Sequence, residues 1–344
     1  MGIASAATLA NKQRYKQLVD SYREWNPGSL RQALTRFYAA DTNISVVQPI
    51  NTVNGSADFL ERVVEPMQDA FAHLHRRCDM LFGGEYRGAE WVVSHGHYVG
   101  LFHRNWLGIP ASGDIVWIHY VEYHRIEAGR SLECYLYFDM LDLLRQIGRW
   151  PLPPSNGYEG FVPGPASADG LVLTASHAEQ SRKSFEMVDD MLSRLYTEDE
   201  AWRPYWHHNM YWYGPSGYGS YIGIDGFARF QLPYESIFEK GRVRNTYLES
   251  GDPTLDASVP GHYARFADGN YVASGGWPSH GGFMVNDWLG VPAEGRMFTV
   301  RVADIWRREG DRLVENWVFV DIVDMLQQLG RDPFAEVGID LRRA

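Results

Sequence analysis

A repeat inside the chain constrains its fold more than any other feature. Residues 315–321 (Glu-Asn-Trp-Val-Phe-Val-Asp) run into IVDMLQQLG and end at Gly330. Residues 133–139 (Glu-Cys-Tyr-Leu-Tyr-Phe-Asp) run into MLDLLRQIG and end at Gly148. One register relates them, since 321 − 139 = 182 and 315 − 133 = 182. In the same register NWLGIPASG (105–113) returns as DWLGVPAEG (287–295), identical at six of nine positions. A solenoid repeats every ~20–50 residues. A period of 182 is therefore a duplicated domain.

Alternate side chains of a strand share a face. Glu315, Trp317, Phe319 and Asp321 should therefore point one way, as should Glu133, Tyr135, Tyr137 and Asp139. That reading sets aromatic rings between two carboxylates on one wall of each copy. The opposite faces, Leu136 and Phe138 or Val318 and Val320, are apolar, so the sheet should be covered on both sides.

Each copy has the same programme. In the first, helical spacing from about residue 8 to 40 puts Leu18, Tyr22 and Trp25 on one face, continued after Asn26-Pro27-Gly28 by Leu30, Leu34 and Phe37. A strand at 43–48 and a helix at 58–75 come next, then strands near 78–82, 90–101, 115–126 and 132–139. The second copy has helical spacing over 184–196, a strand at 209–213 and a helix opened by Gly223-Ile224-Asp225-Gly226-Phe227. Helices followed by a meander predict an α+β fold rather than βαβ units. Residues 151–170 hold five prolines and four glycines. We read a first domain over 1–150, a Pro/Gly-rich linker over 151–172 and a second domain over 173–344.

Composition narrows the function. The 344 residues include 32 basic and 43 acidic side chains, which argues against a nucleic-acid surface. Twelve Trp and 20 Tyr exceed what an aliphatic core needs and suit a pocket for a hydrophobic small molecule. Cys78 and Cys134 are the only cysteines, so no disulfide framework is expected. No stretch has the length and apolarity of a membrane span, and the N-terminus lacks a signal-peptide pattern. These features suggest a cytoplasmic protein. A homo-oligomer is compatible with them.

The second half carries Gly275-Gly276-Trp277, His280, Pro292, Gly295-Arg296 and Glu315-x-Trp317-x-x-x-Asp321, ending in Gln327-Gln328-Leu329-Gly330. This ordered set resembles the SnoaL-like polyketide-cyclase group, also called ester cyclases, of the NTF2-like superfamily. The first half resembles it less closely, with Tyr135 in place of the Trp and Gly113-Asp114 in place of the Gly-Arg pair. The resemblance implies two cone-shaped α+β barrels, each a curved antiparallel sheet wrapped on helices around a blind pocket. By analogy with homodimers of this fold, the two would pack sheet to sheet. It also implies aldol-type, isomerising or dehydrating chemistry by acid–base means, usually with no cofactor. The family's catalytic carboxylate carries over to Asp321 and, less closely, to Asp139.

Both aspartates could instead cap the helix after them. Glu122 and Asp304 match each other (122 + 182 = 304) and could supply a second acid or base, or could be buried in pairs with Arg125 or Arg307. Glu133 and Glu315 rank lower. A neutral imidazole beside a carboxylate makes a proton shuttle, which singles out His97 and His124 in the first domain and His208 and His280 in the second. His95-Gly96-His97 puts two imidazoles on one strand face, but no carboxylate or thiol lies at ligand spacing, so we expect no metal. Trp212, Trp277, Trp317, Tyr135 and Tyr137 are the expected pocket walls. Two functions remain open: an aldol/retro-aldol lyase, cyclase or isomerase acting on an aromatic or polycyclic molecule, and a non-catalytic binding or scaffold module.

Overall fold

The computed structural model describes residues 6–23, 26–175, 177–197, 200–244, 251–259 and 261–341. Trp25, expected on the first helical face, lies outside them. The chain divides into two compact units. The first comprises residues 1–151, 163–176 and 333–344, and the second comprises 152–162 and 177–332.

The first unit opens with α1 (Ala6–Ser21) and α2 (Pro27–Phe37). The Asn26 side chain caps α2 by accepting from Gly28 and Ser29 N–H. Then come β1 (Tyr38–Val46), β2 (Thr52–Asn54) and two short helices, α3 (Gly55–Phe59) and α4 (Glu65–Ala70). Strands β3 (Phe71–Tyr86), β4 (Ala89–Phe102), β5 (Ile115–Glu127) and β6 (Arg130–Phe138) form the meander, and α5 (Met140–Gln146) ends it. The sheet order is β2-β1-β6-β5-β4-β3, with β1 parallel to β6 and the other neighbours antiparallel. The helix expected over 58–75 stops at Ala70. A register shift between Ala72 and His75 breaks the two-residue period of β3, which is why its start reads as helical.

The second unit has α6 (Ala178–Leu192), β7 (Trp206–Tyr213), β8 (Tyr221–Ile222), α7 (Ile224–Ser236), β9 (Phe238–Arg244), α8 (Pro253–Ser258), β10 (His262–Asp268), β11 (Tyr271–Met284), β12 (Met297–Glu309), β13 (Arg312–Val320) and α9 (Ile322–Gln328). Its sheet runs β10-β11-β12-β13-β7-β8, with β13 and β7 parallel and β9 also on β11. A final helix, α10 (Pro333–Glu336), belongs to the first unit. Both units are α+β with open sheets whose outer strands do not pair with each other, so neither barrel closes among the described residues.

The Pro/Gly-rich stretch is not a free spacer. Tyr158 exchanges backbone hydrogen bonds with Ser220 at 2.9 and 2.8 Å within the second unit. Around Leu171, Leu81 N–H donates to Gly170 and Val172 N–H donates to Leu81, both at 2.9 Å, within the first.

The two units differ along one strand. Strand β3 runs unbroken for 16 residues, whereas its counterpart is split into β9, ending at Arg244, and β10, starting at His262. Opposite that break, β11 carries two extra residues. Gly96 and Tyr98 pair with Tyr120 and Ile118, while Gly276 and His280 pair with the matching Val302 and Val300. The offset is thus 276 − 96 = 180 before the bulge and 280 − 98 = 182 after it.

Candidate active site

The second unit holds a partly open cavity of about 110 Å³ between its sheet and helices α6 and α7. Its sheet wall follows strict strand alternation: Val302, Asp304 and Trp306 on β12, and Asn316, Val318 and Val320 on β13. Cross-strand pairing confirms the shared face, since Asp304 opposes Val318 and Trp306 opposes Asn316. Helix α7 contributes Phe227, Phe230, Gln231 and Tyr234, which recur every three or four residues on one side. Trp212 on β7 stacks on Phe230 with ring centroids 4.3 Å apart. Among the described residues, no Lys or Arg lines the cavity.

Asp304 is half-buried, with its carboxyl facing this lumen. Burial pushes its pKa up to about 7, partly opposed by Asn316 and Arg265. Asn316 Nδ2 donates to Asp304 Oδ1 at 3.4 Å. Near neutrality the carboxyl is thus close to half-protonated, the condition under which one group serves as both acid and base.

His280 lies in the same wall and is held neutral. Burial, reinforced by His262, lowers its pKa to about 3. Its Nε2 is 2.7 Å from Tyr234 Oη, and its Nδ1 is 2.7 Å from Ser279 Oγ. Ser279 donates onward to the Val300 carbonyl at 3.3 Å. That assignment leaves Ser279 Oγ to accept from Nδ1–H and Nε2 to accept from Tyr234 O–H. The bulge in β11 supplies this segment, because Ser279 and His280 come directly after its two extra residues.

The corresponding place in the first unit is filled. Glu122 matches Asp304 but forms a fully buried ion pair with Arg76. Tyr15 and Tyr38 donate to it at 2.8 and 3.0 Å, and His124 Nε2 lies 3.4 Å away. Burial alone would raise the Glu122 pKa, but Arg76, His124 and Tyr15 outweigh it and hold the carboxyl well below its usual range. The rings of Tyr22 and Tyr120 cover the guanidinium at 4.7 Å each. Arg76 sits on unbroken β3 opposite Tyr98, whose counterpart is His280. Among the described residues, β9 and β10 leave no ladder partner opposite His280 on that side, so the position of Arg76 has no counterpart there.

Of the expected site residues, the cavity brings together Asp304, His280 and Trp212. The other residues expected in the second unit, Asp321, Trp317, Trp277 and His208, are not among those that line the cavity. Asp321 caps α9, accepting from Asp324 N–H at 3.1 Å, and pairs with Arg301 at 3.0 Å. It does not line the cavity. Trp317 shares its parity and packs on Tyr213 at 5.3 Å, behind the wall rather than in it. Trp277 lies beneath Arg301, 4.5 Å from the guanidinium carbon. His208 is exposed and stacks on His207 at 4.3 Å, although Met210 and Trp212 of the same parity are buried. Arg307 pairs with Glu315 at 2.5 Å, not with Asp304.

In the first unit, Asp139 caps α5 by accepting from Asp142 N–H at 2.9 Å. His124 is wedged beside Tyr15 and Phe37 at 4.6 and 4.9 Å. His97 stacks on His119 at 5.1 Å, its Nδ1 3.6 Å from Asp79. Tyr135 donates to Glu133 at 3.2 Å, and Tyr137 is core. His95 faces His119, Nε2 to Nε2, at 2.7 Å, which makes an imidazole pair rather than a two-histidine ligand set with His97. Glu122, His124 and Cys134 could converge on an ion, with ligand atoms within 4.8 Å of one another, but Arg76 already neutralises Glu122 and disfavours a second cation.

Tyr234, Tyr196, Ser279 and Asn316 are among the cavity residues that the repeat did not reveal. One sequence signal could have found Ser279: the change of offset from 180 to 182 across Gly276–His280.

Comparison with known proteins bears on the first unit. Residues 15–147 match the family model described as SnoaL-like polyketide cyclase. They form a SnoaL-like domain. The motif residues had pointed more to the second half, whereas the matched residues lie in the SnoaL-like first unit. A solved structure named as a SnoaL-like polyketide cyclase from Jannaschia sp. CCS1 is 18% identical, covering 44% of this chain and 98% of its own, with TM-score 0.37. TsrD from Streptomyces laurentii is 20% identical, covering 42% and 98%, with TM-score 0.34. An NTF2-like protein from Burkholderia thailandensis E264 is 14% identical, covering 39% and 95%, with TM-score 0.32. No curated protein matches the chain. The family supports an enzymatic or small-molecule-binding role. No helix among the described residues is long and apolar enough to cross a membrane.

Proposed function

We propose that the second unit is an acid–base enzyme acting on a neutral, hydrophobic, aromatic small molecule, with no cofactor. The reaction class is proton transfer next to a carbonyl or benzylic carbon, as in an aldol/retro-aldol lyase, a cyclase or an isomerase. The observation that carries this reading is Asp304. Its carboxyl titrates near pH 7 in a cavity walled by aromatic rings. In such a site the carboxylate takes a carbon-bound proton, and the resulting acid returns it at another atom. The electron pair left on carbon moves onto the substrate oxygen. Catalytic roles therefore fall to Asp304 and, through the Tyr234 hydroxyl, to His280. A lining without Lys or Arg among the described residues favours uncharged substrates, since an anion would have no partner there. Glu122, sealed by Arg76, supports a structural role for the first unit.

The test uses 2-tetralone, a flat, neutral ketone whose C1 protons are both benzylic and α to the carbonyl. The protein in D2O should accelerate deuterium uptake at C1, followed by NMR, and Asp304→Asn should lower the rate by about 10²-fold or more. Binding of 2-tetralone without faster exchange would leave the non-catalytic binding module as the better reading.

A further inference from the structure

We infer that Tyr196 reads the substrate's oxygen, and that Glu235 and Gln231 hold it in place for that purpose. The inference rests on the reading of this cavity as a substrate pocket. Three tyrosines line it: Tyr196, Tyr218 and Tyr234. The Tyr234 proton is committed to His280 Nε2, at 2.7 Å. Tyr218 donates towards Met325 Sδ at 3.8 Å. Among the described residues, Tyr196 Oη has no protein acceptor. A hydroxyl in an aromatic pocket gains most from an acceptor brought by the ligand.

The backbone supports this role. Tyr196 has φ +61°, a left-handed conformation that disfavours a bulky side chain and persists only where the surroundings enforce it. The enforcing contact is its own N–H, which donates to Glu235 Oε1 at 3.0 Å. Gln231 Nε2, from one turn earlier on α7, donates to the same oxygen at 2.8 Å. This clamp turns the chain immediately after α6 and sets the ring 6.0 Å from that of His280. A tyrosine packing only as core would have no need of a strained backbone pinned by a carboxylate. Tyr196 is thus the specificity-determining donor, and Glu235 is its positioning residue.

Two probes of nearly equal size separate the possibilities: 2-tetralone and tetralin, which lacks the oxygen. Binding is read by quenching of tryptophan fluorescence, since Trp206, Trp212 and Trp306 line the cavity. Wild-type protein should prefer 2-tetralone. Tyr196→Phe should weaken 2-tetralone about 3- to 10-fold, the worth of one hydrogen bond, and leave tetralin unchanged. Glu235→Ala should act in the same direction, and Glu235→Gln, which keeps an acceptor for Tyr196 N–H, should restore binding. If Tyr196→Phe binds both probes as wild type does, or loses both equally, the hydroxyl does not read the oxygen and the inference fails while the pocket stands. If wild type binds neither probe, the pocket reading fails and takes this inference with it.

Discussion

Glu122 and Asp304 occupy the same position in their sheets, each paired to a serine on one side (Ser94, Ser274) and to an aliphatic residue on the other (Leu136, Val318). Their chemistry diverges because of what the neighbouring strand delivers. An arginine on unbroken β3 reaches Glu122 and keeps it ionised. The break between β9 and β10 leaves Asp304 beside Asn316 and facing an aromatic cavity. A duplicated carboxylate has become a sealed ion pair in one unit and a titratable acid in the other.

The Asp304 pKa makes stability depend on pH in a defined direction. Its ordinary value is 3.8, and in the fold it is about 7. Between those values the folded state keeps a proton that the unfolded state has lost, so the contribution of Asp304 to stability falls as pH rises through this window. Asp304→Asn has no such proton to lose. Relative to wild type it should be near neutral at pH 4 and more stable by a few kcal/mol at pH 8, as measured by urea unfolding. An identical difference at both pH values would mean that Asp304 is not the titrating group.

Asp321 separates capping from catalysis. Asp321→Ala should cost about 1 kcal/mol or more, through loss of the α9 cap and of the Arg301 partner. Asp321→Asn keeps an acceptor for Asp324 N–H and should cost less. Neither should change the 2-tetralone exchange rate by more than about twofold, because the residue lies outside the cavity. A hundredfold loss with Asp321→Asn at unchanged melting temperature would return the base to the strand end.

The first unit should respond to Glu122 as a structural ion pair does. Glu122→Gln leaves Arg76 buried without its counter-charge and should cost about 3–5 kcal/mol in urea unfolding. Replacing both partners, as in Arg76→Met with Glu122→Gln, should recover much of that loss. A cost below ~1 kcal/mol for the single change would show that water or another group takes over from Glu122.

The sequence by itself determined the duplication, the α+β layout and most strands, because a register of 182 and a period of two are local properties that survive without knowledge of packing. It also singled out Asp304, His280 and Trp212. It could not rank Asp304 above Asp321, since both sit on strands with aromatic neighbours. Parity shows which residues share a face but not which face looks into a cavity, and here the lumen lies on the side of Val318 and Val320 rather than Trp317 and Asp321. Only tertiary structure decided that. It also decided which copy has an open pocket at this position, because Arg76 reaches Glu122 across one intervening strand and 46 residues of chain. Tyr196 was equally hidden. Its role depends on a backbone angle and on a carboxylate 39 residues away, and neither leaves a periodic trace in the sequence.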